Sequence, residues 1–183
     1  MLEEILIRYS APTLAGLKTA NLFWYSWESK AEFENSMEVW TRIFEEKGLD
    51  IRIMRTTAQR ALLYVNRKKQ LEADLKREKT RRMLEAEGYD YSSVEEAVKI
   101  LQNKLQMYET FPHEIGLFLG YPEEDVQGFI ENQGKNCKCC GCWKVYCNEC
   151  DAQKMFCKFK KCERVYERLF LKGRPVEKMI VAA

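Results

Sequence analysis

The sequence predicts an α+β fold, with a single domain over residues 1–183 in which a small mixed or antiparallel sheet packs with several helices. An aromatic-rich segment at residues 20–27 predicts one strand, and residues 50–55 and 61–66 predict two more that lie close enough along the chain to form a hairpin. Most of the remaining chain has apolar residues at helical spacing. With 183 residues, 46% of them hydrophobic, the chain is long enough to bury a core of its own.

The elements flanking the first strand are both predicted to be helices. Residues 1–9 form a short helix that should end before Pro12, because a proline disfavours helical backbone at the residue before it. Residues 30–47 form an amphipathic helix. Its apolar stripe consists of Phe33, Met37, Trp40, Ile43 and Phe44.

Three further helices are predicted after the hairpin. Residues 68–88 read as one long helix, and residues 93–108 as a second. Ser93 is the expected N-cap of the second, because Glu96 stands three residues later as in a capping box. The third covers residues 149–172 near the end of the chain.

Residues 113–132 predict a helix, a tight turn and a second helix, with Gly120 in the turn and Pro122 at the start of the second helix. The pattern resembles the helix-turn-helix of bacterial regulators. The second helix, however, would present Glu123, Glu124 and Asp125 to a phosphate backbone, which repels them. A nucleic-acid partner is therefore not expected.

The cellular compartment limits the chemistry that is open to the cysteines. The first residues are acidic and lack the features of a secretory signal, and no apolar stretch is long enough to cross a bilayer. The sequence therefore predicts a cytoplasmic protein without a membrane partner. Its thiols are expected to be reduced or metal-bound rather than paired in structural disulfides.

All eight cysteines lie within residues 137–162, which form a cysteine-rich segment inside the predicted domain. Close thiolates can bind zinc, iron or an iron–sulfur cluster, and they can also exchange disulfides. Three pairs have the two-residue gap that lets a tight turn direct both sulfurs at one metal. These pairs are Cys137/Cys140, Cys139/Cys142 and Cys147/Cys150.

The spacing favours a metal site at the start of this segment. Residues 143–146 read as a strand, which would hold Cys142 and Cys147 ~16 Å apart, whereas two sulfurs on one zinc lie ~4 Å apart. Some of the first four cysteines with an outside ligand form a more credible set, and His113 is the only histidine available. The alternative for His113 is a ring that packs or caps at a helix start. The candidate ligands are Cys137, Cys139, Cys140, Cys142 and His113.

The later cysteines are expected to be structural. Cys150, Cys157 and Cys162 lie on the predicted C-terminal helix, where small buried thiols facing the core are the commoner explanation. Lysines around the whole segment are expected to lower thiol pKa values. Such a shift would favour metal binding and redox chemistry alike, so it does not separate them.

Four segments carry a resemblance to a family of small cytoplasmic proteins of unknown function from anaerobic, clostridia-type bacteria. They are residues 11–23 (APTLAGLKTANLF), 111–126 (FPHEIGLFLGYPEEDV), 128–132 (GFIEN) and 142–146 (CWKVY). The resemblance spans nearly the full chain. It implies a stand-alone protein with a shared site around Cys137, Cys139, Cys142 and His113, with Cys147 and Cys150 as additions in this chain. An anaerobic setting favours iron–sulfur chemistry or labile metal handling over disulfides.

The sequence establishes no activity, and a binding role is favoured over catalysis. The leading hypothesis is a soluble accessory protein that holds a metal or an iron–sulfur cluster through thiolates. One alternative is a thiol-dependent redox enzyme, in which one cysteine of Cys139/Cys142 attacks and the other resolves. The other is a regulatory or protein-interaction module with incidental cysteines, which would have a protein partner of unknown identity.

Overall fold

The computed structural model describes residues 1–182 and confirms the α+β class, with a sheet that is antiparallel throughout. The helices are α1 Leu2–Leu14, α2 Lys30–Glu46, α3 Lys68–Leu75, α4 Glu78–Ala86, α5 Val94–Met107, α6 Ile115–Phe118, α7 Glu123–Glu131 and α8 Glu149–Leu171, followed by a short 3-10 helix, Val176–Met179. The strands are β1 Ala20–Ser26, β2 Leu49–Thr56, β3 Arg60–Arg67, β4 Cys139–Cys140 and β5 Lys144–Val145.

The chain divides into two compact units. One contains Met1–Gln70 together with the chain from Lys161 onward, and the other contains Leu71–Lys160. The first is called the sheet unit, because it contains β1, β2 and β3. The second is called the hairpin unit, after the short hairpin of β4 and β5. Within the described residues, no helix combines the length and the apolar character that a bilayer span requires.

The sheet unit is built on a three-stranded sheet in the order β1-β3-β2. The predicted hairpin of β2 and β3 is confirmed, and it carries an irregularity between Ile53 and Arg55. Side chains alternate between the two faces of a strand, and Ala61, Leu63 and Val65 on β3 accordingly enter one apolar core. Leu62 and Tyr64, on the other face of β3, are buried as well, so the sequence of this central strand is a continuous apolar run and not an alternating one.

Side chains from three helices, α1, α2 and α8, complete that core. The predicted stripe on α2 is confirmed, since Phe33, Met37, Trp40 and Phe44 are buried and Ile43 packs against them. Burying one such large apolar side chain contributes about 1.5–3 kcal/mol. The core also takes Leu6 and Leu14 from α1, and Tyr166 from α8.

The prediction that the first helix ends before Pro12 is wrong, because α1 continues to Leu14 with the proline inside it. Pro12 lies in the last turn of α1, where its missing N–H costs one helical hydrogen bond. The Ala15 N–H still donates to the Ala11 carbonyl at 2.9 Å. Ala11, Pro12 and Leu14 are all buried, and this packing outweighs the unfavourable local backbone.

The hairpin unit contains most of the short helices. The single helix predicted over residues 68–88 is two helices, α3 and α4, separated at Arg77, whose backbone is extended. The Asp74 carboxylate, itself mostly buried, pairs with the Arg77 guanidinium at 2.8 Å and holds this break. The predicted cap of α5 is confirmed: Ser93 and Glu96 form a reciprocal capping box.

The predicted helix-turn-helix pair is confirmed as α6 and α7, although α6 has only 4 residues. Gly120 adopts a positive φ of 72° after α6, which is why a glycine ends that helix. Pro122 then stands directly before α7. His113, just before α6, lies in the same unit as the first seven cysteines of the chain, whereas Cys162 belongs to the sheet unit.

Candidate functional site

The first cysteines of the cluster form a small two-stranded hairpin. β4 pairs antiparallel with β5, with Cys139 opposite Val145 and Cys140 opposite Lys144. The Gly141 N–H donates to the Trp143 carbonyl at 3.0 Å and closes the turn. The strand predicted over residues 143–146 is thus limited to Lys144–Val145. All eight cysteines of the chain are thiols.

Cys139 and Cys140 lie on opposite faces of the hairpin, because successive side chains of a strand point to opposite sides. Cys139 packs against a small apolar cluster of Val145, Ala152 and Phe156. Cys140 instead lines a cavity on the opposite side. The adjacent cysteines of the sequence are therefore not equivalent ligands.

That cavity has a volume of about 350 Å³ and lies within the hairpin unit. It brings together His113, Cys140 and Cys142, three of the five predicted ligands. The other two, Cys137 and Cys139, do not line it. Four aromatic side chains contribute to its wall: Phe111, Tyr121, Phe129 and Trp143.

Asp125 holds the hairpin against α7. Its carboxylate accepts hydrogen bonds from the Trp143 indole N–H at 2.7 Å and from the backbone N–H groups of Tyr146 at 2.7 Å and Cys147 at 3.0 Å. Asp125 is only 3% exposed. The sequence-based placement of Asp125 on an exposed acidic helix face is therefore wrong. The partners that bury it lie 18 to 22 residues away, beyond the reach of helical periodicity.

Trp143 is the aromatic anchor of the hairpin turn. Its ring stacks on Tyr121 with centroids 5.1 Å apart and meets Phe156 edge to face at 4.6 Å. The Tyr121 hydroxyl donates to the Cys142 carbonyl at 3.2 Å. These contacts fix the backbone that carries Cys140 and Cys142 at the cavity.

Gly128 explains how closely α7 approaches the hairpin. A Cβ at this position would lie 2.5 Å from the Cβ of Tyr146, closer than side-chain atoms can pack. A glycine that weakens the helix interior is therefore required by packing. The Tyr146 hydroxyl is buried and has no hydrogen-bond partner among the described residues.

His113 is exposed, and its ring lies against Phe129 with centroids 5.2 Å apart. It thus packs, as one reading of the sequence allowed, and it also lines the cavity with the two cysteines. The neighbouring Glu114 is 2% exposed and accepts hydrogen bonds from Tyr89 at 3.0 Å and Lys104 at 2.7 Å. This buried network, which sequence reasoning missed, anchors the segment that carries His113.

The expected lowering of thiol pKa values by lysines is not found where shifts are resolved. Burial, followed by the charges of Glu149 and Cys137, raises the pKa of Cys139. Two nearby lysines are engaged elsewhere: Lys138 Nζ donates to the Cys147 carbonyl at 2.9 Å, and Lys144 Nζ to the Gly134 carbonyl at 2.6 Å. A raised pKa disfavours Cys139 as the attacking thiol of a redox enzyme.

The pKa values of two tyrosines are raised in part by the charges of nearby cysteines. Burial, with the Cys142 charge as the second cause, raises the pKa of Tyr121 to about 12. Burial also raises the pKa of Tyr146, with contributions from the charges of Cys137, Asp125 and Cys140. The charge of Cys142 therefore acts on the Tyr121 phenol, and the charges of Cys137 and Cys140 act on Tyr146.

The later cysteines behave differently from the prediction. Cys150 and Cys157 are exposed rather than buried, and the core-facing positions of α8 are occupied by Phe156 and Phe159. Cys162 is buried as expected, in the core of the sheet unit. Burial, followed by the Glu163 charge, raises its pKa to about 11.

The side chains as positioned do not form a finished metal site. Within residues 1–182, no group of three or more histidine, cysteine, aspartate or glutamate side chains is arranged to hold a metal ion. Cys140, Cys142 and His113 are all exposed. The three donors therefore line the same cavity but are not arranged around a single position for an ion.

These features define an α+β protein with a thiol-bearing hairpin held by a buried carboxylate beside an aromatic cavity. No curated protein and no solved structure matches the chain significantly. The chain belongs to the family described as "Protein of unknown function (DUF3793)", whose model matches residues 6–180. The resemblance to a family of unknown function is thereby confirmed over nearly the whole chain.

Proposed function

We propose that the protein binds one soft transition-metal ion, zinc or ferrous iron, through the thiolates of Cys140 and Cys142 and the imidazole of His113. One observation carries the proposal: these three donors, from two separate segments of the chain, line the same cavity. Thiolate and imidazole are the ligands that zinc and iron prefer in proteins. Cys137 and Cys139, also predicted as ligands, are left out of this set because they do not line the cavity.

A mononuclear ion fits this donor set better than an iron–sulfur cluster. Clusters are usually held by four cysteine thiolates, and only two cysteines line the cavity. Two thiolates and one imidazole leave a fourth tetrahedral position open, and here it would face the aromatic wall. The bound ion would then be reachable by a small ligand or by a partner that accepts the metal.

Binding requires small side-chain movements and the loss of two thiol protons. Rotation about χ1 moves each Sγ between staggered positions, while the hairpin backbone stays fixed by Asp125 and Trp143. The His113 ring must also rotate, and it would lose part of its contact with Phe129. Because ligand thiols must deprotonate, metal affinity is expected to rise with pH.

The unpartnered Tyr146 hydroxyl supports a thiolate nearby. A buried hydroxyl without a partner carries a desolvation penalty, and a thiolate is a stronger acceptor than a thiol. Burial raises the pKa of Tyr146, and the charges of Cys137, Asp125 and, last, Cys140 add to it, so Tyr146 interacts with Cys140 as well as with Cys137. Metal binding at Cys140 would therefore change the environment of Tyr146.

The biological setting of the proposal is an accessory protein of the cytoplasm, where thiols stay reduced. It would bind metal and pass it to a protein partner without turning over a substrate. A redox enzyme using Cys139 and Cys142 is the weaker candidate, because the Cys139 pKa is raised and only Cys142 lines the cavity.

The test is the metal content and visible absorption of the full chain purified without oxygen. Cys140→Ser/Cys142→Ser is compared with Cys147→Ser/Cys150→Ser, a matched control that removes two exposed thiols outside the cavity. We expect one metal per chain in the parent and the control and none in the first variant. His113→Ala should bind the metal more weakly.

Three results would overturn the proposal. One is a parent protein that contains no metal and takes up neither zinc nor ferrous iron. Another is equal loss of metal in both double variants, which indicates non-specific thiol binding. The third is loss in Cys137→Ser/Cys139→Ser with retention in Cys140→Ser/Cys142→Ser, which would move the site to the opposite face of the hairpin.

A further inference from the structure

A second cavity, in the sheet unit, has walls of a different chemistry. It has a volume of about 190 Å³ and is bounded by α2, the end of β1 and the start of α1. Four aromatic side chains line it: Tyr25, Trp27, Phe33 and Trp40. It contains no cysteine or histidine, so it is independent of the metal site.

The aromatic walls are mutually ordered. Phe33 stacks on Trp27, with centroids 4.8 Å apart and planes at 10°, and on Tyr25, with centroids 5.3 Å apart and planes at 23°. Phe33 and Trp40 are at most 5% exposed, whereas Tyr25 and Trp27 are partly exposed. Solvent therefore reaches the rings of Tyr25 and Trp27, which are held in place by stacking on the buried Phe33.

The side-chain charges around these rings are of one sign. Glu3, Glu28 and Glu32 are acidic and no side chain of the lining is basic, while Met1, which also lines the cavity, carries the α-amino group of the chain. With three carboxylates against one amino group, the lining has a net negative charge. No ion pair recorded for residues 1–182 involves these three carboxylates. Burial, followed by the charges of Glu32 and Glu28, raises the pKa of Tyr25, so both carboxylates act on the ring.

We propose that this cavity binds the head group of a small quaternary ammonium compound, of which choline is the simplest natural type. Aromatic faces attract cations through their quadrupoles, and such faces commonly recognise methylated ammonium groups. The volume lies below the ~300–1,000 Å³ typical of sites for larger ligands, which fits a compact head group.

The two hydroxyls of the wall are already engaged. The Ser29 hydroxyl accepts from the Glu32 N–H at 3.3 Å, and the Ser36 hydroxyl donates to the Glu32 carbonyl at 2.7 Å. The three carboxylates attract any cation, and they can also accept hydrogen bonds from a primary ammonium. The preference for a quaternary ammonium therefore rests on the aromatic faces, which bind a methylated head group without hydrogen bonds.

The experiment titrates the full chain with choline while recording the indole N–H resonances of Trp27 and Trp40. The neutral alcohol of the same shape, with carbon in place of nitrogen, is titrated in parallel. Choline should shift both resonances with saturation, and the neutral alcohol should bind at least about tenfold more weakly. Glycine betaine, whose carboxylate is repelled by the three glutamates, should also bind more weakly than choline.

Variants separate charge from shape. Glu28→Gln/Glu32→Gln changes two exposed positions and should weaken choline binding about tenfold, while Glu34→Gln, outside the cavity and paired with Lys30, should leave it unchanged. Trp27→Leu should remove most of the binding. Absence of a saturable choline shift, equal binding of the neutral alcohol, or equal affinity in the double variant would each overturn the proposal. Tighter binding of guanidinium than of choline would do so as well.

Discussion

The sheet unit and the hairpin unit are stabilised in different ways. The sheet unit rests on one large core, in which side chains from α1, α2, the three strands and α8 pack together. The cysteine hairpin of the other unit has a small apolar cluster and depends on one carboxylate, Asp125, for three hydrogen bonds. Stability in the first case is spread over many contacts, and in the second it is concentrated in one residue.

The largest effect is expected from the core of the sheet unit. Phe44→Ala deletes a side chain that is 0% exposed and should cost about 3–5 kcal/mol in unfolding free energy. Denaturant unfolding measures this loss, and amide exchange in β1 to β3 localises it. Val39→Ala, on the exposed face of the same helix, is the control and should change stability by less than about 0.5 kcal/mol. A loss below about 1 kcal/mol for Phe44→Ala would contradict the description of this core.

Asp125→Ala tests the hairpin unit directly. It leaves two backbone N–H groups and one indole N–H without their acceptor, and should cost about 3 kcal/mol. Trp143 is the only tryptophan of the hairpin unit, so its indole resonance reports the change. Glu124→Ala, which removes the solvent-exposed pair with Lys79 on the same helix, should cost no more than about 1 kcal/mol. Similar losses for the two variants would remove the special role of Asp125.

Gly128→Ala places helix propensity and packing in opposition. Alanine favours the interior of a helix by about 1 kcal/mol, but its Cβ would lie 2.5 Å from that of Tyr146. We expect packing to dominate, with a net destabilisation of about 1–2 kcal/mol and a shifted Trp143 resonance. Gln127→Ala, exposed on the same helix, is the matched control. A stabilised Gly128→Ala protein would show that α7 and the hairpin can separate at low cost.

The smallest effect concerns the capping box of α5. Hydrogen bonds from the Ser92 backbone and side chain lower the pKa of Glu96 below its ordinary 4.5. Because the folded-state pKa is the lower one, the contribution of Glu96 is complete above about pH 4.5 and is lost as the pH falls through the folded-state value. The protection of amides in the first turn of α5, measured as the exchange rate relative to an unfolded chain at the same pH, should therefore fall in acid. In Glu96→Ala the same turn should exchange faster at neutral pH and respond less to acid, and an unchanged acid response would contradict this assignment.

The same contrast explains what could be predicted from the sequence. The stripe of α2 and the cap of α5 were predictable because their signals lie within a few residues. The break at Arg77 and the continuation of α1 through Pro12 depend on Asp74 and on core packing, which local patterns do not contain.

For the candidate site, the sequence predicts residue types and not their arrangement. Cysteine spacing and the single histidine predict five donors, of which His113, Cys140 and Cys142 share a cavity. Side-chain alternation along β4 places Cys139 and Cys140 on opposite faces of the hairpin. A strand of only 2 residues leaves no periodic sequence pattern from which this difference could be predicted. Asp125 was missed because its three donors come from the hairpin, far along the chain.

The buried thiol of Cys162 gives the protein an intrinsic reporter of its own opening. The other seven cysteines are exposed or partly exposed, so a thiol-specific reagent can reach them in the folded chain. Cys162 lies in the core of the sheet unit, and its pKa near 11 keeps it protonated at neutral pH. The rate at which Cys162 is labelled would therefore follow transient unfolding of that core. The other seven cysteines would be labelled faster, and their labelling gives the rate for accessible thiols in the same sample.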